Sequence, residues 1–114
     1  MDFLNESYYI HFAEGMLPPV KEPGFWSITA YGSDEFLIPN EINRYSVNNR
    51  DNLTYNPDGS LDILLQEDQP EEAMMNNWLP LGTDNFHLAL RMYIPDTEKI
   101  ANSWKIPEIV KQQD

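Results

Sequence analysis

Hydrophobic and polar positions alternate along Tyr8–Phe12, with Tyr8, Ile10 and Phe12 on one face and His11 on the other. A period of two residues marks a half-buried strand. Residues 25–31 repeat the pattern. Trp26, Ile28 and Ala30 make one face, and Ser27, Thr29 and Tyr31 the other. Between these strands, Leu17-Pro18-Pro19-Val20 opposes regular structure. Gly32-Ser33-Asp34 predicts a turn, Phe36-Leu37-Ile38 a short third strand, and Arg44 to Val47 another. Asn56-Pro57-Asp58-Gly59 is the clearest turn, because proline presets φ and glycine accepts the positive φ that returns the chain. It should join a strand at residues 53–55 to Leu61–Gln66 as a hairpin. A polar excursion over residues 69–77 carries Met74 and Met75. Alternation returns at residues 86–93, with Phe86, Leu88, Leu90 and Met92 on one face and His87, Ala89, Arg91 and Tyr93 on the other. Asp96 or Thr97 should cap a single helical turn through Ala101, and an irregular or extended tail follows from Trp104.

About seven short strands and frequent turns predict an all-β fold. The expected form is a two-sheet β-sandwich of jelly-roll type, with at most one short helix near residues 96–102. At 114 residues the chain has the size of one domain, so residues 1–114 are read as a single unit. No repeat or linker interrupts it.

The chain has nineteen acids against seven bases and a formal charge of −12. That balance argues against nucleic acid, because phosphates would be repelled. No Lys or Arg lies between Arg50 and Arg91, where acids are dense. The plain reading is a solvated face; the sharper one is a surface for a cation or a basic partner. Without cysteine there is no disulfide, thiolate metal site or cysteine nucleophile. No apolar run approaches the ~20 residues of a membrane helix. The first residues, MDFLNESYYIHF, lack the charge and apolar run of a secretory signal. The expected location is therefore the cytoplasm.

Enzyme motifs are absent. The five glycines are too scattered to make a phosphate loop, and two histidines cannot make a three-histidine site. Nothing in their spacing pairs His11 with His87. Asp58-Gly59-Ser60-Leu61-Asp62 lacks the closing glutamate of a calcium loop, and a hairpin turn explains it. No metal or cofactor is expected.

Arg44 is one of three arginines in this acidic chain. Tyr31, Arg91 and Tyr93 lie on the polar faces of their strands. With Arg44 and Tyr45 they form an arginine–aromatic set suited to an anionic or carboxylate-bearing small molecule. The plainer alternative is that Arg44 and Arg91 pair internally with acids, since a buried arginine requires a partner.

Five blocks in order carry a family likeness: FWSITAYGSDEFLIPNEINRYSV, LTYNPDGSLDILLQ, NNWLP, FHLALRMYIP and WKIPEI. Over about residues 8 to 110 the chain resembles the domain of unknown function (DUF) family 1214. That resemblance implies a jelly-roll sandwich and no established activity. Asn40, Arg44, Tyr45, Gly59, Asn77, Trp78 and Arg91 are among the residues in its motif blocks. Relatives commonly carry this domain behind an N-terminal partner, DUF family 1254. The chain begins close to its first strand, so the expectation is a stand-alone version without that partner.

The most direct function for such a chain is a binding or assembly module. The alternative is a small enzyme (isomerase, lyase or hydrolase) acting on an anionic small molecule near Arg44 and Arg91. Phe3, Met16, Met74, Met75 and Trp104 fall in irregular segments and are expected to form an apolar patch. Such a patch marks an interface. A homo-oligomer, in its commonest form a dimer, is expected, and Arg44 gains a third possible role as its anchor.

Overall fold

In the computed structural model the described residues are 7–40, 42–81 and 85–111. They form two sheets, one short α-helix and one 3₁₀ turn. The strands are β1 (Tyr8–Phe12), β2 (Val20–Gly32), β3 (Ser46–Asn48), β4 (Leu61–Gln66), β5 (Trp78–Pro80), β6 (Phe86–Pro95) and β7 (Ile109–Lys111). One sheet has the order β5-β4-β1-β7 and the other β3-β2-β6. All neighbours are antiparallel except β4 and β5, which run parallel.

The alternating pattern places the core. Ile10 and Phe12 of β1 and Leu61, Ile63 and Leu65 of β4 turn inward from the four-stranded sheet. Trp26, Ile28 and Ala30 of β2 and Val47 of β3 meet them from the other. The rings of Phe12 and Trp26 touch across the gap at 5.8 Å. Each large side chain buried here stabilises the fold by roughly 1.5–3 kcal/mol of transfer free energy.

Helix α1 (Thr97–Asn102) stands where the sequence predicts it. The Asp96 carboxylate caps it by accepting from the Lys99 N–H at 3.2 Å. Among the described residues no helix is long and apolar enough to cross a membrane.

Several expectations are corrected. Val20 already opens β2, despite the prolines before it. The third strand at residues 36–38 reduces to a single bridge between Tyr31 and Leu37. Asp34 accepts from the Phe36 N–H and curls the chain back on itself. The strand expected at Arg44 begins at Ser46, because the Asn40 side chain takes both backbone groups of Arg44, at 2.9 and 2.7 Å.

The 53–55/61–66 hairpin does not form either. Its turn is real: Gly59 has φ +88° and the Asn56 N–H donates to the Ser60 carbonyl. Thr54, however, gives its N–H and C=O to the buried Asn77 side chain, both at 2.8 Å. An amide side chain thus replaces the neighbouring strand, and β4 pairs with β1 and β5 instead.

The apolar patch is corrected as well. Trp104 is buried in the core, its indole N–H on the Met16 carbonyl. Met16 packs against that core, Met74 and Met75 are half-buried, and Phe3 lies outside the described residues. The large apolar groups left exposed are others, led by Phe36, Ile106 and Ile94.

Candidate functional site

Register decides which side chains share the outer face of the three-stranded sheet. Phe25, Ser27, Thr29 and Tyr31 of β2 stand directly opposite Tyr93, Arg91, Ala89 and His87 of β6. Their neighbours Trp26, Ile28 and Ala30 are inward, so these eight point outward. Cross-strand partners on one face lie close enough to interact. Here they make two ring pairs. Phe25 and Tyr93 stack at 4.4 Å, and Tyr31 and His87 at 5.4 Å.

Arg91 lies between the two pairs. Its guanidinium donates to the Tyr31 hydroxyl at 3.1 Å, reaching past the small Ala89. That hydrogen bond raises the Arg91 pKa above its already high value, so the side chain is cationic at every working pH. Thr29 lies beneath this layer and is only 8% exposed although it belongs to the outer face. Arg50 adds a second cation. Its guanidinium sits 4.2 Å over the Phe25 ring and donates to the Pro23 carbonyl at 2.8 Å. Cation–ring contacts of this kind hold a guanidinium in place without neutralising it. No described carboxylate pairs with Arg50 or Arg91. His87 has one, Glu35, at 3.5 Å.

Only glycine fits at position 24, next to this face. A Cβ there would collide with the Tyr93 carbonyl oxygen and lie 2.7 Å from that of Lys21. The β2 and β6 backbones therefore approach each other closely just where Phe25 and Tyr93 stack.

The five residues singled out from sequence divide into two groups. Tyr31, Arg91 and Tyr93 share the outer face. Arg44 is elsewhere and half-buried, and its guanidinium donates to the main-chain carbonyls of Met75 at 2.8 Å and Trp78 at 3.3 Å. Tyr45 donates from its hydroxyl to the Asn43 side chain at 3.2 Å. The internal acid partners expected for Arg44 and Arg91 are not found among the described residues; carbonyls and a phenol take their place.

Sequence reasoning missed Phe25, Arg50 and His87 as members of the face. Strand parity could have found Phe25 and His87, which share the odd positions of Tyr31 and Arg91. Nothing local pointed to Arg50, which arrives from the loop after β3.

A cavity of about 370 Å³ opens between the sheets, with Phe12, Ile28, Leu88, Leu90 and Ile106 among its lining residues. A second, of about 350 Å³, adjoins Pro18, Pro19 and Tyr55. Neither wall includes Arg44 or Arg91. Among the described residues no group of three or more His, Asp or Glu side chains could hold a metal ion.

The other histidine sits in β1 and pairs across to β4. His11 Nδ1 lies 2.6 Å from Asp62 Oδ1, its direct cross-strand partner, and Asn56 donates to the second Asp62 oxygen at 3.1 Å. Asp58, the first acid of the calcium-like run, accepts from the Ser60 hydroxyl and N–H instead of facing a cation.

Residues 4–97 match the family described as "Protein of unknown function (DUF1214)". The chain belongs to that family. No curated protein matches it. Among solved structures, this DUF1214 chain is similar to the crystal structure of the VPA0106 protein from Vibrio parahaemolyticus, with 28% identity and a TM-score of 0.78. The likeness covers 99% of this chain and 27% of that one, so the chain spans about a quarter of the length of the protein it matches.

Proposed function

We propose that this DUF1214 domain is a binding module that takes an anionic small molecule on the outer face of its three-stranded sheet. One observation carries the reading. In a chain of charge −12, Arg91 is held by the Tyr31 hydroxyl and by no described carboxylate, between two stacked ring pairs. An acidic protein has many ways to neutralise an arginine, and this one keeps Arg91 cationic and fixed. A planar carboxylate can accept from the guanidinium edge while its own ring lies against Tyr31 or Tyr93. Arg50 supplies the second positive charge and His87 a donor or acceptor at the rim.

Arg44 and Tyr45 belong to this proposal only as supports, since their polar groups already serve the chain. A small enzyme is the weaker alternative: the face is open to water, which screens the charges a catalytic step would use. The jelly-roll form of the sandwich belongs to the same reading. It is supported by two sheets facing one core, and less so by the parallel β4–β5 pair. We further take the module to work as a homo-oligomer, in its simplest form a dimer.

Calorimetric titration with benzoate and indole-3-acetate tests the site. Saturable binding should weaken at least about tenfold in Arg91→Ala and recover only in part in Arg91→Lys, which keeps the charge and loses the fork. Binding that Arg91→Ala leaves unchanged, or no binding of any carboxylate, would overturn the proposal.

A further inference from the structure

The two sheets have four edge strands, β5 and β7 on one and β3 and β6 on the other. Three of them are three residues long, and β6 has ten. Very short edge strands are a common protection against unwanted pairing, as are lysine and proline along the edge. From Phe86 to Tyr93, β6 has neither.

The hydrogen-bond phase shows what this edge offers. The Ala30 N–H donates to the Tyr45 carbonyl and the Asn49 N–H to the Trp26 carbonyl, so the even residues of β2 aim their backbone groups at β3. Directions alternate along an antiparallel ladder. The odd residues of β2 therefore bond to β6, through His87, Ala89, Arg91 and Tyr93. Leu88, Leu90 and Met92 are left with their N–H and C=O groups pointing along an edge that no described strand covers. Their side chains face inward yet are only half-buried, and Leu88 and Leu90 line the 370 Å³ apolar cavity that opens between the sheets.

We infer that β6 is the strand through which two copies of this chain pair, antiparallel, about a two-fold axis at Leu90. The occupant is fixed by self-complementarity. In that register Leu90 faces its own counterpart, and Leu88 faces the partner copy's Met92. All three residues whose backbone groups point along the edge then exchange both hydrogen bonds. On the outer face Ala89 meets Arg91 of the other copy, and His87 meets Tyr93, so no two arginines are opposed. On the inner face the paired aliphatic side chains close the mouths of both cavities. Ile94, at φ +57°, and Pro95 end the usable edge. Each three-stranded sheet becomes half of a six-stranded one.

The inference rests on the dimer reading above and is independent of the anion. Sedimentation should give twice the 13.3 kDa of one chain. The chain has no cysteine, so Leu90→Cys creates a single thiol at the two-fold axis. Opposed residues of a hydrogen-bonded pair have Cα atoms about 5.5 Å apart, within disulfide reach. Mild oxidation should cross-link Leu90→Cys into a dimer with unchanged circular dichroism. Phe36→Cys, on an exposed turn away from the edge, should not cross-link. Backbone amides of Leu88, Leu90 and Met92 should exchange at least about tenfold more slowly in the dimer than under dissociating dilution. A monomer mass at all concentrations would overturn the dimer and the edge together. A dimer that neither cross-links through Leu90→Cys nor protects those amides would overturn the edge alone.

Discussion

The Arg44 guanidinium spans 31 residues of sequence to donate to the Met75 carbonyl, 2.8 Å away, and the same nitrogen reaches the Trp78 carbonyl at 3.3 Å. Those carbonyls flank the step where the 3₁₀ turn (Glu72–Asn77) gives way to β5. The Met75 carbonyl already accepts from the Trp78 N–H, and Arg44 adds a second, charged donor there while reaching the first carbonyl of β5. Arg44 is held in turn by the Asn40 side chain on its own backbone. The rarest cation type in an acidic chain is thus used to join the two sheets, with no carboxylate among its described partners.

Arg44→Ala should therefore destabilise the fold by about 1.5–3 kcal/mol, the range for hydrogen bonds to a charged group. Arg44→Lys should recover less than half, because one ammonium cannot match the guanidinium's geometry. Urea unfolding with unchanged m-value measures both. If Arg44→Ala unfolds at the wild-type midpoint, the tie between the sheets contributes nothing.

Asn77 should matter more than any surface charge. It is fully buried; its amide donates to the carbonyls of Thr54 at 2.8 Å and Asp62 at 2.9 Å, and its oxygen accepts from the Thr54 N–H. Removing the side chain leaves three backbone groups without partners, at about 1–3 kcal/mol each if buried. Asn77→Ala is expected to cost at least about 3 kcal/mol. Asn77→Asp should be worse, since a carboxylate turns both donors into acceptors facing carbonyls. Thermal and urea unfolding compare the pair, and Asp tolerated better than Ala would contradict this account.

The long strands and the capped helix were legible because their cause is local. Alternation over Tyr8–Phe12, over the second half of β2 and over β6 sets both the strands and their inward faces, and Asp96 caps α1 from its own sequence position. The 53–55 strand misled because Thr54 finds its backbone partner in Asn77, 23 residues away, and no periodicity encodes an amide side chain acting as a strand. Trp104 misled for a related reason: an irregular tail hides an indole whose N–H needs the Met16 carbonyl 88 residues earlier. At the candidate site, strand parity placed Tyr31, Arg91 and Tyr93 on outer faces. Cross-strand register, which parity does not contain, set them opposite His87, Ser27 and Phe25, and the loop after β3 brought in Arg50.

Asp58 gives a pH-dependent test of the turn. The Ser60 hydroxyl donates to its carboxylate at 2.6 Å and the Ser60 N–H at 2.9 Å. These two bonds, the hydroxyl first, hold its pKa below the usual aspartate value. A group whose folded pKa is depressed contributes stability above its unfolded pKa, and that contribution fades as pH falls through the folded one. Ser60→Ala removes the stronger donor and keeps the N–H. The Asp58 titration, followed by carboxyl-carbon NMR, should then move upward toward the ordinary aspartate range. The wild-type advantage over Ser60→Ala should be full at neutral pH and shrink as pH drops through the Asp58 transition. Comparing the two proteins at each pH cancels the relief of repulsion that acid brings to any chain of charge −12. An Asp58 midpoint that Ser60→Ala leaves in place would mean that the hydroxyl does not set it.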